Sequence, residues 1–347
     1  MSSPAFAPAV SVLLPVRDGA AHLAEAIASL EAQTLEDFEV LAVDDGSTDA
    51  TPALLADWAA RDPRVRAVRQ EAAGIVPALE RARAAARGRY LARMDADDVC
   101  APTRLAEQFA LMESDPTLVG CGCSIEYFPA DTVRDGALRY QEWLNAAVTP
   151  EEIERHLFVE CPLAHPTFFL RADAVDAVGG YRDPGWPEDY DLLIRLWANG
   201  VGARAARGRL AQVAEPLLRW REGPDRLSRT HPRYAPEAFL ACKVHYLRRT
   251  LLKGTRGAVL WGAGPVGKAA ARALQEAGTP VLAFVEVDPR KVGQEIHGAP
   301  VLDLGEGAGI EGALHLAAVG QPGARDDIRD LLEAAGLAEL RDFVAIA

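Results

Sequence analysis

No stretch of this sequence approaches the roughly 20 consecutive apolar residues that a membrane-crossing helix needs, which excludes a helical integral membrane protein. The N-terminus also lacks a basic region followed by a signal-like apolar core, so the expectation is a protein that stays in the cytoplasm. Paired cysteine spacings are missing too. Cys100, Cys121, Cys123, Cys161 and Cys242 are an odd number of thiols without repeated Cys-x-x-Cys spacing, which argues against a structural zinc site and for reduced core residues. Basic charge is in deficit: 37 Lys and Arg face 50 Asp and Glu, a formal net charge of −13. A nonspecific nucleic-acid binder needs a concentrated basic surface. Here Arg-rich pieces such as Arg81–Arg89 and Arg248-Arg249 are interleaved with apolar helix residues and read as solvated helix faces. Nucleic acid is therefore not an expected partner, and membrane contact is at most peripheral.

What is present is acid in one place. Arg93-Met94-Asp95-Ala96-Asp97-Asp98 sets three carboxylates around one alanine, directly after the apolar run Tyr90-Leu91-Ala92. Hard divalent cations such as Mg²⁺ or Mn²⁺ prefer carboxylate oxygens and bridge one or two of them to a substrate diphosphate. A solvated turn at a strand end is the plain alternative. Upstream, Val10–Leu14 reads as a buried strand, Ala20–Gln33 as an amphipathic helix, and Phe38–Val43 as a second strand ending in Asp44-Asp45-Gly46-Ser47-Thr48-Asp49. In an open parallel sheet ligands bind beyond the carboxyl ends of the strands, where both acidic segments would lie.

The length of 347 residues suggests about two domains. The α/β alternation continues through a helix Asp49–Arg61, a strand Val65–Val68, a helix Ile75–Arg87 closed by Gly88, a helix Pro102–Ser114 and a strand Val119–Tyr127. Residues 129–149 have weak periodicity and several turn formers, and read as a mobile substrate loop. Leu217–Arg221 reads as a strand entering a loop at Gly223-Pro-Asp-Arg226. The spans expected are residues 1–230 for the catalytic domain, 231–255 for a helical linker and 256–347 for a second α/β domain. In that tail, strand Ala258–Trp261 enters Gly262-Ala-Gly-Pro-Val-Gly267 and a helix, a Gly-x-Gly-x-x-Gly turn in its strand-to-helix setting. Gly262, Gly264 and Gly267 would let the backbone approach a phosphate at the helix N-terminus, and Asp288, about 20 residues on, would hold a ribose. Glycines that merely allow close helix-to-strand packing are the competing account.

Leu14-Pro-Val-Arg-Asp18, Gln33-Thr34, Val43-Asp-Asp-Gly-Ser-Thr-Asp49 and Met94-Asp-Ala-Asp-Asp98 occur in the order seen in family 2 glycosyltransferases, which the first two-thirds of the chain resembles. His165-Pro-Thr-Phe-Phe-Leu-Arg171, Gly179-Gly-Tyr181 and Glu188-Asp-Tyr-Asp-Leu192 resemble the acceptor-side half of the same family. The resemblance implies a nucleotide-diphospho-sugar transferase (GT-A) fold with a mixed, mainly parallel sheet. It implies an inverting, metal-dependent transfer from a nucleotide-sugar donor to a glycan or lipid-linked acceptor in cell-surface polysaccharide assembly. By it, Asp97 would bind Mg²⁺ or Mn²⁺, Asp95 and Asp45 the donor's nucleoside, and Asp189 would be the catalytic base, with Asp191 its neighbouring competitor. Pro15, Arg17, Asp44, His165, Trp186 and Glu188 would complete the substrate contacts, Trp186 and Tyr190 as an acceptor platform or as ordinary packing.

Several positions depart from that pattern. Arg17 and Asp18 stand where tyrosine and asparagine are frequent, Glu80 replaces a frequent asparagine, and Glu222 falls where many relatives carry a histidine near the metal, with His231 as an alternative ligand. The tail, through Phe284–Gly293 and Ile296–Val301, resembles small Rossmann-like domains attached to sugar-modifying proteins, which implies a nucleotide or nucleotide sugar as its ligand. It is too short for a separate substrate domain, which argues against a complete dehydrogenase. Two other functions compete: a catalytically idle nucleotide-sugar scaffold or sensor, and nucleotidyl transfer to a sugar phosphate. The latter requires a basic Gly-rich loop that Leu14–Ala20 does not supply.

Overall fold

A computed structural model describes residues 7–199, 207–223, 226–321 and 323–347. Pro224 and Asp225 of the loop expected after Arg221 lie outside them. The chain divides into two compact units, Met1–Glu154 with Pro162–Pro184 and Glu188–Thr230, and Arg155–Cys161 with Gly185–Pro187 and His231–Ala347. Among the described residues no helix is long and apolar enough to cross a membrane.

The first unit is built on one sheet in the order β3-β2-β1-β4-β7-β6-β8-β5. Its strands are β1 (Val10–Val16), β2 (Phe38–Asp45), β3 (Val65–Gln70), β4 (Tyr90–Arg93), β5 (Val99–Cys100), β6 (Leu118–Phe128), β7 (Phe169–Arg171) and β8 (Arg209–Arg221). β1 pairs in parallel with β2 and β4, β2 with β3, and β6 with β8, while β7 runs antiparallel to both β4 and β6. The central parallel strands β1, β2 and β4 are buried almost throughout because helices cover both faces, whereas β3 at the edge alternates. All eight residues of β2 are buried, Glu39 included, and its carboxylate accepts from Ser11 Oγ at 2.8 Å and from Arg87 Nη2 at 2.7 Å. Helices Leu23–Glu31, Thr51–Arg61 and Ile75–Ala85 make the crossovers that parallel neighbours require. The chain steps outward from β1 to β3, then returns to place β4 on the other side of β1. That reversal is a topological switch point at the carboxyl ends of β1 and β4, the place where the crevice of an open α/β sheet binds ligands.

Residues 129–149 are not a loop throughout. Asp135–Ala146 is a helix in which Leu144 is the buried apolar residue. Ala137, Tyr140 and Trp143 pack against the core beside it, and amides join them: Asn145 exchanges two hydrogen bonds with the Ile125 backbone (2.9 and 2.8 Å), and Gln141 Oε1 accepts from Tyr127 N at 2.7 Å. β6 meets β7 only at Gly120 and Cys121, so these amides satisfy the strand edge farther along. Inward amides at Gln141 and Asn145 interrupt the apolar spacing of Ala137, Tyr140 and Leu144 and weaken it as a signal.

The second unit holds a six-stranded sheet, β11 (Glu295–Ile296), β12 (Ala299–Leu302), β10 (Val281–Val285), β9 (Ala258–Trp261), β13 (Leu314–Ala317) and β14 (Phe343–Ala345) in spatial order. All neighbours are parallel except β11 and β12. Helix Pro236–Arg249, expected as a linker, is part of this unit. It buries Cys242, Val244, Tyr246 and Leu247, and Lys243 Nζ donates to the carbonyls of Val159 at 2.6 Å and Ile346 at 3.0 Å. Burial brings the Lys243 amine down to about 8.

Candidate active site

β4 delivers the acidic turn into the crevice, and carboxylate oxygens of Asp95, Asp97 and Asp98 lie within 4.8 Å of one another. Burial and then the charge of Asp95 raise the proton affinity of Asp97, and burial with both neighbours raises that of Asp98 well above the usual range. Asp98 Oδ1 accepts from Arg221 N at 2.8 Å, while Oδ2 is buried without a hydrogen-bond partner. Three crowded oxygen donors with one orphaned oxygen are a donor set that a hard divalent cation fits.

The turn is held from behind by Arg104, which is 1% exposed. Its Nη2 donates to the carbonyl of Arg93 at 2.7 Å and to that of Pro166 at 2.6 Å, and its Nε donates to Gln108 Oε1 at 3.0 Å. Gln108 Nε2 in turn donates to the Thr167 carbonyl at 2.8 Å. A buried guanidinium is costly unless its donors are satisfied. Here carbonyl dipoles satisfy it, and the acidic turn is fixed against the 165–167 turn.

That second turn carries His165, whose Nε2 lies 3.1 Å from Tyr181 Oη and whose Nδ1 lies 3.8 Å from Glu188 Oε1. Burial, then the Arg93 charge, depress its basicity well below the usual value, so the imidazole is neutral. Tyr181 is brought in by Gly180, whose φ of +67° and near contact with Glu80 (a Cβ would sit 2.4 Å from Oε1) exclude a side chain. Glu80 uses the same oxygen to accept from Tyr181 N at 2.6 Å, which is what glutamate does in this position.

Helix Glu188–Asn199 opens with Glu188 and Asp189. Asp189 keeps an accessible edge, yet its carboxyl is deeply enclosed by protein. Burial and then the charge of Glu188 push its pKa up to about 7. Asp191, the alternative base, is 1% exposed and committed to Arg195, whose Nη2 lies 2.6 Å from its Oδ2. Arg93, 3% exposed, forms an ion pair with Asp95 and is among the charges that draw down the proton affinities of both Asp97 and Asp189.

At the end of β2 the carboxylates are already engaged. Asp45 Oδ1 accepts from Gln70 Nε2 and Ala73 N and Oδ2 from Gly74 N, each at 2.8 Å, with Arg17 Nη1 3.9 Å from Oδ2. Asp44 Oδ1 accepts from Ser47 N at 2.9 Å, and Arg69 Nε lies 3.3 Å from its Oδ2. The register explains both pairs, since Asp44 sits opposite Arg69 and Asp45 opposite Gln70. Pro15 lies next to Val43 on the neighbouring strand, and Asp18 Oδ1 accepts from Thr48 N at 2.7 Å.

Other expected contacts lie elsewhere. Glu222 is 5% exposed and taken by guanidinium groups, with Arg226 Nη1 3.0 Å from Oε2 and Arg229 on Oε1. It is a neutralised core carboxylate rather than a spare ligand. His231 belongs to the second unit, where its Nδ1 accepts from Arg233 N at 3.2 Å. Trp186 groups with the second unit, its ring 4.9 Å from that of His245, and Tyr190 is fully buried, as ordinary packing would have it.

In the second unit, a Cβ on Gly267 would sit 1.9 Å from the Gly262 carbonyl and one on Gly262 would sit 2.6 Å from Val319, so packing accounts for both. A Cβ on Gly264 would meet nothing within 4 Å, and packing does not account for it. Asp288, the expected ribose acid, lies on an exposed turn in an ion pair with Arg290 at 2.9 Å. The acid at the end of β10 is Glu286, whose Oε2 accepts from Ala263 N at 3.3 Å and from Lys291 Nζ at 2.8 Å. Asp288 lies two residues beyond it. The signal that finds Glu286 is its place directly after the last apolar residue of the strand.

Residues 11–179 match the family model described as glycosyl transferase family 2. The chain is 27% identical over 209 residues to the amylovoran biosynthesis glycosyltransferase AmsE of Erwinia amylovora, covering 60% of this chain and 73% of that protein. It is 30% identical over 195 residues to an uncharacterised glycosyltransferase of Haemophilus influenzae, covering 55% of this chain and 70% of that one. The structure of S. aureus TarS 1-349 in complex with UDP-GlcNAc superposes with a TM-score of 0.54 at 16% identity, over 69% of this chain and 66% of that chain, a likeness of fold. With the family's pattern running through the acidic turn and on to Gly179, this chain belongs to the family 2 glycosyltransferases and is a sugar-transferring enzyme.

Proposed function

We propose that the enzyme works in the cytoplasm as an inverting, metal-dependent glycosyltransferase, moving a sugar from a nucleotide-sugar donor to a hydroxyl of a glycan or lipid-linked acceptor in cell-surface polysaccharide assembly. The observation that carries this reading is the cluster of Asp95, Asp97 and Asp98 carboxylates, within 4.8 Å of one another directly after β4, in a chain of the family 2 glycosyltransferases. Asp97, with Asp95 and Asp98 beside it, would hold Mg²⁺ or Mn²⁺, which when bound offsets the charge on the departing diphosphate. Asp189 accepts the proton of the acceptor hydroxyl as that oxygen bonds to the anomeric carbon and the bond from that carbon to the diphosphate oxygen breaks. One displacement inverts the centre, so a single base suffices. A base of pKa about 7 is matched to that task near neutral pH. Asp45 keeps part of its acceptor capacity for the nucleoside, with Arg17 beside it, and mainly shapes the 73–74 backbone around the donor's base. His165, neutral and bonded to Tyr181, and Glu188 orient the acceptor side.

The second unit reads as a Rossmann-like module for a nucleotide or nucleotide sugar. Its strand order reverses at β9, its Gly-rich turn follows β9, and Gly264 leaves room that packing does not use. Nucleotide release from a panel of UDP-, GDP- and dTDP-sugars, with and without chelator, tests the main reading. We expect release from one donor class, stopped by chelator. Release from none of them supports the idle scaffold instead, and release indifferent to chelator removes the metal.

A further inference from the structure

Where a strand ladder stops at a buried turn, the backbone groups left over need other partners. β5 and β8 pair in antiparallel through Val99 with Arg219 and Cys100 with Leu218, and Ala101 N donates to the Leu217 carbonyl at 2.9 Å. In such a ladder every second pair exchanges backbone bonds. The same register carried past Val99 sets Arg221, the last residue of β8, opposite Asp97, and a continued ladder would send the Arg221 N–H to the Asp97 carbonyl. The N–H donates instead to Asp98 Oδ1 at 2.8 Å, and the Asp97 carbonyl accepts from Arg221 Nε at 2.7 Å. A side chain has taken the main chain's place in the ladder, and the N–H so released holds a carboxylate. With Oδ1 fixed in this way, Asp98 Oδ2 stays buried and unpartnered beside Asp95 and Asp97, in a residue that is 1% exposed.

Arg221 is itself held in place. Its Nη2 donates to Glu25 Oε2 at 2.7 Å, in the first turn of helix Leu23–Glu31, and its guanidinium carbon lies 4.3 Å from the centre of the Phe128 ring. Glu25 is more than half exposed, and an ion pair at such a position contributes little to stability. What the pair does is aim the planar fork, so that Nε meets the peptide joining Asp97 to Asp98. We propose that Arg221 is a positioning residue of the metal-binding turn: its Nε on the Asp97 carbonyl and its N–H on the Asp98 carboxylate set the spacing of the Asp97 and Asp98 oxygens for a divalent cation. This rests on the reading that the turn takes Mg²⁺ or Mn²⁺. It adds that the end of β8, far along the chain from the turn, governs how well the ion is held.

The test titrates Mn²⁺ alone into the full chain and follows the free ion by electron paramagnetic resonance. Position and charge predict opposite signs. Arg221→Ala removes Nε and keeps the N–H, so a loosened turn binds Mn²⁺ about tenfold or more weakly, the range for losing a residue that orients a ligand without touching the metal. A guanidinium acting only as a counter-charge to the acids would, on removal, leave Mn²⁺ more tightly bound. Tighter or unchanged Mn²⁺ binding by folded Arg221→Ala therefore overturns the proposal, including the case in which its melting temperature alone falls. Arg221→Lys keeps the charge and the stem beside Phe128 but lacks the fork, so its affinity should lie between those of Arg221→Ala and the wild type. Should Arg221→Ala not fold, Arg221→Lys decides, and wild-type Mn²⁺ affinity in that variant overturns the proposal. Wild-type protein that takes up no Mn²⁺ is a different failure: it removes the metal from the turn, and this proposal with it, whatever the Arg221 variants do.

Discussion

Asp191 gives its carboxylate to Arg195, 2.6 Å away and equally buried, and thereby leaves Asp189 as the acid of this helix end whose chemistry is still open. The two aspartates differ in kind although they stand two residues apart. Removing Asp191 strands a buried guanidinium, so Asp191→Asn should cost about 3–5 kcal/mol of stability. Thermal or urea unfolding measures it, and a loss below about 1 kcal/mol would show that the pair is not structural.

Asp189 should report itself through pH. As a base it works only when ionised, so kcat/KM should rise with pH through a limb near 7. Its stability effect has the opposite slope. The folded protein holds this proton up to about 7 while the unfolded chain releases it near about 4, so stability falls as pH rises through that window. Asp189→Asn should therefore melt a few degrees above the wild type at pH 8 and show no such gain at pH 4. A flat profile of rate and melting temperature across pH 5 to 8 would contradict both statements.

Glu222 separates a metal ligand from a core ion pair. A lost ligand should shift the metal concentration for half-maximal activity by roughly tenfold or more. Because Arg226 and Arg229 already hold Glu222, Glu222→Gln should leave that concentration nearly unchanged and lower stability instead. Metal titration of activity beside a melting curve decides it.

In the second unit, Gly267→Ala should destabilise, since the added methyl collides with the Gly262 carbonyl, whereas Gly264→Ala enters open space and should leave the melting temperature close to wild type. If the turn binds a nucleotide sugar, Gly264→Ala should nonetheless weaken that binding in the full chain, read by calorimetry. Equal effects of both substitutions on folding would mean that the glycines serve packing alone.

Much of the first unit was legible because the central parallel strands are mostly apolar and β2 and β4 run into acidic residues. The βαβ order and the turn at Asp95–Asp98 follow from that pattern. What escaped the sequence escaped for physical reasons. Helix Asp135–Ala146 docks through Gln141 and Asn145 as well as Ala137, Tyr140 and Leu144, and the inward amides dilute its apolar period. Arg93 and Arg104 look like any strand or helix arginine until burial shows that one pairs with Asp95 and the other holds two backbone turns. Trp186 and residues 155–161 join the second unit, a division no contiguous reading of the chain yields.

The central claim is that Asp97 and Asp189 serve different steps at one reacting centre, and it is tested most directly by measuring donor binding and turnover on the same two variants. Asp97→Ala should lose Mn²⁺-dependent binding of the donor and turnover with it. Asp189→Asn should bind the donor in Mn²⁺ about as well as the wild type while turning over about 10² to 10⁴ times more slowly, the range for a missing general base. Wild-type turnover in Asp189→Asn, or undiminished Mn²⁺-dependent binding in Asp97→Ala, would contradict the account.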